Sequence, residues 1–352
     1  MANWIIIMAG GSGTRFWPAS RAGRPKQFLT LGGAEALLTQ TYNRVVDTVG
    51  PDHIVVVTAE AHAEHARISL PDLPAENLLL EPVGRNTAPC IGWATRWIQA
   101  RDPEALCAVL PADHHISQNQ LFRAHLEAAY RAAARDFIIL FGIVPDAPET
   151  GYGYIERGTP LFAIDKHEVF TVRRFVEKPD IDTAAAYLAD GRFWWNGGIF
   201  VYKASLMDAQ IRHLLPELAT GLDALEANPE RLASIYPTLP AISIDYGVME
   251  KTTLAAIMPA RFSWSDLGSW DAAKQLSDKD PAGNAVRGDA ILRNCRGVYV
   301  DAESGRFVAA IGVDDLVIVD RPDALLVMRS GASQEVKAIV DILRTKGRKE
   351  LL

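Results

Sequence analysis

The chain has 352 residues, 49% of them hydrophobic and 22% charged, with a net charge of −7. That balance excludes a disordered chain, a collagen and a coiled coil, and the length allows about two domains. A diffuse acidic charge disfavours nucleic acid as a partner, yet leaves room for an anionic small substrate held by a few local cations. Cys90, Cys107 and Cys295 are far apart and not in metal spacing, so no disulfide framework is expected and a reducing, cytoplasmic setting is. No apolar run approaches the ~20 residues of a membrane helix, so no membrane association is expected. The apolar start at 4–9 has no basic segment before it and reads as a buried first strand, not a signal peptide.

In chain order, strands are expected at 4–8, 54–58, 78–81, 105–111 and 137–143. Amphipathic helices are expected between them, at 36–49, 61–70, 87–100 and 121–136. This alternation predicts βαβ units and a mostly parallel sheet, with ligands beyond the carboxyl ends of its strands. From about 150 to 270 the pattern is less regular, with hairpin-like pieces at 152–156, 168–177 and 198–202 and helices at 183–190, 205–215 and 229–235. We read this part as the substrate half of the same domain, inserted over the sheet. After a linker at 279–284 come short β runs at 290–292, 298–301, 307–311, 316–320 and 324–328, then a helix at 334–343, forming a small β-rich second domain.

The first strand leads directly into Gly10-Gly11-Ser12-Gly13-Thr14-Arg15. Glycines let the backbone turn sharply and expose N–H groups to an anion such as phosphate. The run is not a P-loop, since no Gly-Lys-Ser/Thr follows. Nor is it a dinucleotide fingerprint, since Phe16 stands where the third glycine would be. Arg15 and Lys26 add two cations, with Pro18 and Pro25 stiffening the path between them. The whole run, through Phe16-Trp17-Pro18 and Arg24-Pro25-Lys26-Gln27-Phe28, resembles the signature loop of the nucleotide-sugar pyrophosphorylases (sugar-1-phosphate nucleotidylyltransferases). Its Phe-Trp-Pro and Lys-Gln-Phe variants are similar to those of mannose-1-phosphate guanylyltransferases in particular.

The resemblance continues through motifs in the family's order. Glu81-Pro82-Val83-Gly84-Arg85-Asn86-Thr87 looks like the nucleoside-binding turn. On its own, Thr87 reads as a helix cap; Asn86 and Glu81 carry groups that could read a base edge, and which residue reads guanine stays open. Leu110-Pro111-Ala112-Asp113-His114 puts a carboxylate beyond a strand end. With Asp266, in Trp264-Ser265-Asp266-Leu267-Gly268-Ser269-Trp270, the resemblance makes Asp113 a ligand of Mg²⁺, a hard cation that takes oxygen donors. Glu177-Lys178-Pro179, Trp195-Asn196-Gly197-Gly198 and Gly151-Tyr152-Gly153 match its sugar-phosphate elements. On residue chemistry alone, Glu177 and Lys178 are an ordinary strand-end charge pair.

The resemblance thus implies an α/β fold: a Rossmann-like nucleotidyltransferase domain over 1–280 with a mixed, mostly parallel sheet, and a small β-helix-like domain over 281–352 that supports a homodimer. It implies transfer of GMP from GTP to mannose 1-phosphate. Gly10, Gly11, Gly13, Thr14, Glu81, Asn86 and Thr87 would bind the nucleotide. Gly151, Tyr152, Glu177, Lys178, Asn196 and Gly197 would bind the sugar phosphate. Arg15, Lys26, Asp113, Lys178 and Asp266 would carry catalysis. Two other readings stand beside it: a different sugar-1-phosphate nucleotidylyltransferase, and a non-catalytic nucleotide-sugar-binding regulatory homologue. An isomerase domain, which some bacterial relatives carry after the β piece, does not fit before residue 352, so a single activity is expected.

Overall fold

A computed structural model describes residues 2–11 and 13–352; Met1 and Ser12, the latter inside the glycine-rich run, lie outside the described residues. By compactness the chain forms two units of three segments each. The first contains the residues up to Gly10, Thr41–Ala112 and Ile116–Trp264; the second contains Gly11–Gln40, Asp113–His115 and Ser265–Leu352.

The first unit is built on nine strands: β1 (Asn3–Ala9), β2 (Ile54–Ala59), β3 (Leu78–Glu81), β4 (Leu106–Pro111), β5 (Ile138–Ile143), β6 (Gly153–Ile164), β7 (His167–Glu177), β8 (Phe193–Lys203) and β9 (Ala255–Pro259). They form one sheet in the order β3-β2-β1-β4-β8-β5-β9-β7-β6. β3, β2, β1 and β4 pair in parallel, whereas β8 runs antiparallel to both β4 and β5. Ile5, Ile6 and Ile7 are all fully buried, as expected of a central parallel strand covered on both faces. The helices along the chain are α1 (Leu37–Val49), α2 (Ala63–Ser69), α3 (Thr87–Gln99), α4 (Asn119–Ala133), α5 (Ile181–Asp190), α6 (Ala204–Leu214), α7 (Pro216–Ala227) and α8 (Leu232–Ile235). α3 buries Ala88, Ile91, Ala94 and Ile98, one stripe at helical spacing, and packs on β1 and β2.

The 150–270 region corrects the expectation of an inserted layer. Its strands β6 to β9 join the sheet itself, and β8 wedges between β4 and β5. β8 also starts at Phe193, five residues before the expected 198, because Phe193, Trp194 and Trp195 are apolar enough to be buried on both faces. Helix α7 and strand β9 were not foreseen. The helix expected over 229–235 is a 3₁₀ turn, Pro229–Arg231, followed by the single turn α8.

In the second unit, β10 (Ala285–Arg287), β12 (Tyr299–Ala302) and β14 (Leu316–Arg321) pair in parallel, with β15 (Ala324–Arg329) antiparallel at the edge. β11 (Ala290–Arg293) and β13 (Val308–Ile311) form a separate parallel pair. Short parallel strands alternating between two sheets make a β-helix-like stack. Its inner core is Cys295, Val298, Val300, Ala302 and Ile318. A larger core joins Phe16, Trp17, Leu29, Leu31, Leu267 and Trp270 to Tyr299, Val317, Val319, Val336 and Val340. Helices α9 (Trp270–Leu276) and α10 (Val336–Thr345) flank it. The boundary expected at 280 falls inside this unit, because the aromatic residues of the N-terminal loop bury themselves against the C-terminal strands. Among the described residues no helix is long and apolar enough to cross a membrane.

Candidate functional site

Within the second unit, a cavity of about 300 Å³ is lined by Gly13, Thr14, Arg15, Phe16, Lys26, Asp113, His114, Asp266 and Gly268. Gly13 has φ +57°, and a Cβ there would lie 2.3 Å from Lys26 Cβ, so only glycine lets the loop close over the lysine. The Gly13 carbonyl accepts from the Phe16 N–H at 2.9 Å and from Ser20 Oγ at 2.6 Å, which fixes the turn. Behind it Phe16 meets Trp270 edge-on, with 5.0 Å between ring centroids, and Trp270 Nε1 donates to the Trp17 carbonyl at 3.0 Å.

Lys26 is buried; its ammonium donates to Asp113 Oδ2 at 2.9 Å and to the Asp266 carbonyl at 2.5 Å. One cation therefore ties all three segments of this unit together. Burial raises the pKa of Asp113, but the charges of Lys26 and His114 and the Lys26 hydrogen bond outweigh it, and the carboxyl titrates below the usual aspartate value. Asp266 Oδ1 accepts from the Gly268 N–H at 3.0 Å. The exposed Arg15 reaches the same place: a Cβ on Gly268 would be 2.8 Å from Asp266 Oδ2 and 3.4 Å from Arg15 Nη1. The fold thus brings Gly13, Thr14, Arg15, Lys26, Asp113 and Asp266 to one cavity. Gly10 and Gly11 are exposed and do not line it. Two carboxylates facing a shared cavity are hard oxygen donors of the kind a divalent cation takes, so the residues fit a metal ion.

In the first unit, Glu177 and Lys178 form a corner at the end of β7. Lys178 Nζ donates to Glu177 Oε1 at 2.5 Å, and the Lys178 N–H donates to the Tyr152 carbonyl at 3.2 Å. The other Glu177 oxygen is buried without a hydrogen-bond partner. A Cβ on Gly153 would lie 2.4 Å from it, so this glycine makes room for the carboxylate. Burial lowers the Lys178 pKa, but Glu177 raises it more, through a hydrogen bond and charge, and the net shift is upward. The Tyr152 ring packs edge-on against Trp195 and Trp264.

Asn196 donates to Asp245 Oδ1 at 2.9 Å. Burial, then the Glu177 charge, pushes Asp245 up to about 6, opposed by its own backbone N–H, Lys178 and Asn196. Asp245 and Glu250, which accepts from the Glu177 N–H at 3.1 Å, are functional candidates that sequence reading missed; their only signal is two acids bracketing a short apolar run. Gly151 is exposed with open space around it. Gly197 is buried, a Cβ there lying 3.0 Å from the Phe141 carbonyl, so it serves close strand packing.

The 81–87 turn differs from expectation. The helix cap is Asn86, not Thr87: Asn86, at φ +70°, accepts from the Thr87 N–H at 2.9 Å, and Thr87 is the first helical residue. Thr87 Oγ1 instead accepts from the Ile244 N–H at 2.9 Å. Glu81 is buried and accepts from the Tyr236 hydroxyl at 2.5 Å; burial raises its pKa, and that hydrogen bond opposes the rise. Glu81 and Thr87 thus anchor a strap running from Tyr236 to Ile244, and Asn86 remains the exposed polar residue of the turn.

Comparison with known proteins shows the family. The family profile described as nucleotidyl transferase matches residues 5–282, and that of a MannoseP isomerase/GMP-like beta-helix domain matches 288–343. The mannose-1-phosphate guanylyltransferase of Salmonella montevideo is 39% identical, over 98% of this chain and 74% of its own length. That of Klebsiella pneumoniae is 40% identical with the same coverage. A solved structure from Thermus thermophilus, described as a mannose-1-phosphate geranyltransferase, superposes with a TM-score of 0.89 at 34% identity, covering 98% of this chain and all of that one. With its fold, its two-carboxylate cavity and relatives matching along nearly its whole length, the chain belongs to the nucleotidyl transferase family, in its mannose-1-phosphate guanylyltransferase branch.

Proposed function

We propose that this chain transfers GMP from GTP to mannose 1-phosphate, giving GDP-mannose and pyrophosphate. The observation that carries the reading is the meeting of Arg15, Lys26, Asp113 and Asp266 at one cavity, in a chain that aligns nearly end to end with guanylyltransferases. A sugar-phosphate oxygen attacks the α-phosphorus in line; the bond to the bridging oxygen of pyrophosphate breaks. The second pKa of a phosphomonoester is about 6, so the nucleophile is already mostly dianionic at neutral pH and needs no general base. What remains is repulsion between anions and charge on the leaving group, which positioning and cations relieve.

Lys26, Arg15 and the backbone of Gly13 and Thr14 hold the triphosphate, with Gly10 and Gly11 shaping the approach. Lys178 holds the sugar phosphate, while Glu177, Asn196 and Tyr152 face the sugar. Asn86 stays nearest the base, and Glu81 and Thr87 position its turn through Tyr236 and Ile244. The family generally uses a divalent metal ion; Asp113 and Asp266 would hold it as Mg²⁺, and it would supply positive charge to offset that of the phosphates. Residues 1–280 carry the transfer chemistry, and 281–352 complete its scaffold and a homodimer, in the cytoplasm. A panel of nucleotides and sugar 1-phosphates scored by pyrophosphate release tests the reading. GTP with mannose 1-phosphate gives the highest kcat/KM; a higher value for any other pair moves the chain to a different substrate within the family.

A further inference from the structure

Facing the Glu177–Lys178 corner is a residue that no sequence motif supplied. Asp245 opens a π-turn, Asp245–Met249, whose Gly247, Val248 and Met249 are buried. Single π-turns recur at functional sites. Asn196 donates to Asp245 Oδ1, and Asn196 Oδ1 accepts from the Gly198 N–H at 3.1 Å. The amide is therefore fixed from both ends, with Asp245 as one of its two anchors. The residue just after the turn grips the corner, since Glu250 accepts from the Glu177 N–H. Lys178 already pairs with Glu177, whose second oxygen is buried without a donor. Glu177 and Asp245 are two carboxylates with one nearby ammonium, which is hydrogen-bonded to Glu177 and feels Asp245 through its charge, and this leaves acceptor capacity in excess. A ligand rich in hydroxyl hydrogens supplies the missing donors, and a sugar is such a ligand.

We propose that Asp245 is the hydroxyl-reading residue of the sugar-phosphate site: its carboxylate accepts from a sugar hydroxyl, holds the Asn196 amide in place, and so sets the preference among hexose 1-phosphates. The inference rests on the reading of Glu177, Lys178 and Asn196 as that site. A buried hydrogen-bonding group that loses its partner discriminates strongly between substrates differing at one hydroxyl.

The test uses the full chain with Mg²⁺ and GTP, and compares mannose 1-phosphate with its C2 epimer, glucose 1-phosphate. Asp245→Asn keeps the side chain's size but turns one acceptor into a donor. It raises KM for mannose 1-phosphate at least tenfold, leaves KM for GTP within twofold, and narrows the mannose-over-glucose preference at least fivefold. In the wild type this preference widens from pH 5 to pH 7.5 and in the variant it is flat. Both substrates share the same phosphate ionisation, which cancels in the ratio, and the charged groups around Asp245 (Glu177, Lys178, Glu250 and the Tyr246 hydroxyl) are common to both proteins. An unchanged preference in Asp245→Asn overturns the proposal, even if KM rises. Asp245→Ser repeats the measurement should the asparagine variant misfold. Lys178→Ala separates the two levels. If it leaves the sugar-phosphate KM unchanged, the underlying site reading falls. If it raises that KM while Asp245→Asn keeps the preference, only the role of Asp245 falls.

Discussion

Lys26 is the most constrained residue of the cavity: a buried ammonium held by one carboxylate and one carbonyl. Removing it takes away the larger of the two charges that act on Asp113, so Lys26→Ala is expected to raise KM for GTP at least tenfold while changing KM for mannose 1-phosphate little, as steady-state kinetics will show. Asp113→Asn and Asp266→Asn keep the shape of the cavity but weaken its oxygen donors. Each should lose at least a hundredfold in kcat and need more Mg²⁺ for half-maximal rate, which a metal titration reads directly. Asp245 makes a separate prediction. Its folded pKa, about 6, lies above the ordinary 3.8, so between those values the native state binds more protons than the unfolded chain. Stability should therefore fall as pH rises from about 4 to about 6 and then level off, by about 3 kcal/mol at most. Asp113 has the opposite sign and stabilises the fold above the ordinary aspartate pKa. Urea unfolding of wild type against Asp245→Asn across pH 4–8 isolates the Asp245 contribution as a flattened profile and a variant more stable at pH 7.

At the scale of elements, the parallel half of the sheet was legible because its strands are continuous apolar runs separated by helix-length amphipathic segments. Observed β1 to β5 lie within a residue of their expected starts and ends. In the other half β7 was legible too, expected at 168–177 and observed at His167–Glu177; β8 and β9 were not, because β8 carries Trp194, Asn196 and Gly197 in one strand, mixing motif residues with core residues, and β9 is only five residues long. The Asp113–Asp266 meeting was legible only through motif order, since no local spacing links residues so far apart. Asp245 was invisible for a different reason: a π-turn has no periodicity to read. Trp270, the first residue of α9, shows how an element can serve a loop. It is fully buried, and supports Phe16 by its ring and Trp17 by its indole N–H. Trp270→Ala should cost about 3–5 kcal/mol, measured by chemical denaturation, and should lower affinity for GTP without touching any ligand.

For the whole molecule, the three cysteines offer a probe of opening. Cys90 and Cys107 are buried in the first unit and Cys295 in the second, all as free thiols. Burial pushes the Cys90 and Cys107 thiols well up, with the charges of Glu81 and Asp102 adding to it, so neither reacts while its core is closed. Mass-resolved labelling at pH 8 should modify Cys295 first, because the core around it is the smaller one, with Cys90 and Cys107 following together as the sheet opens. Simultaneous labelling of all three would mean one cooperative unfolding event.

The second unit draws on the start, the middle and the end of the chain. During synthesis Phe16, Trp17, Leu29 and Leu31 leave the ribosome some 240 residues ahead of the strands and helices that cover them, so the glycine-rich loop is born unfinished and must wait, exposed to misassembly, until those later segments are made. The same weave limits inheritance. A loop whose backing lies so far along the sequence cannot be exchanged as a cassette, so the glycine-rich turn and the β-helix-like stack must change together.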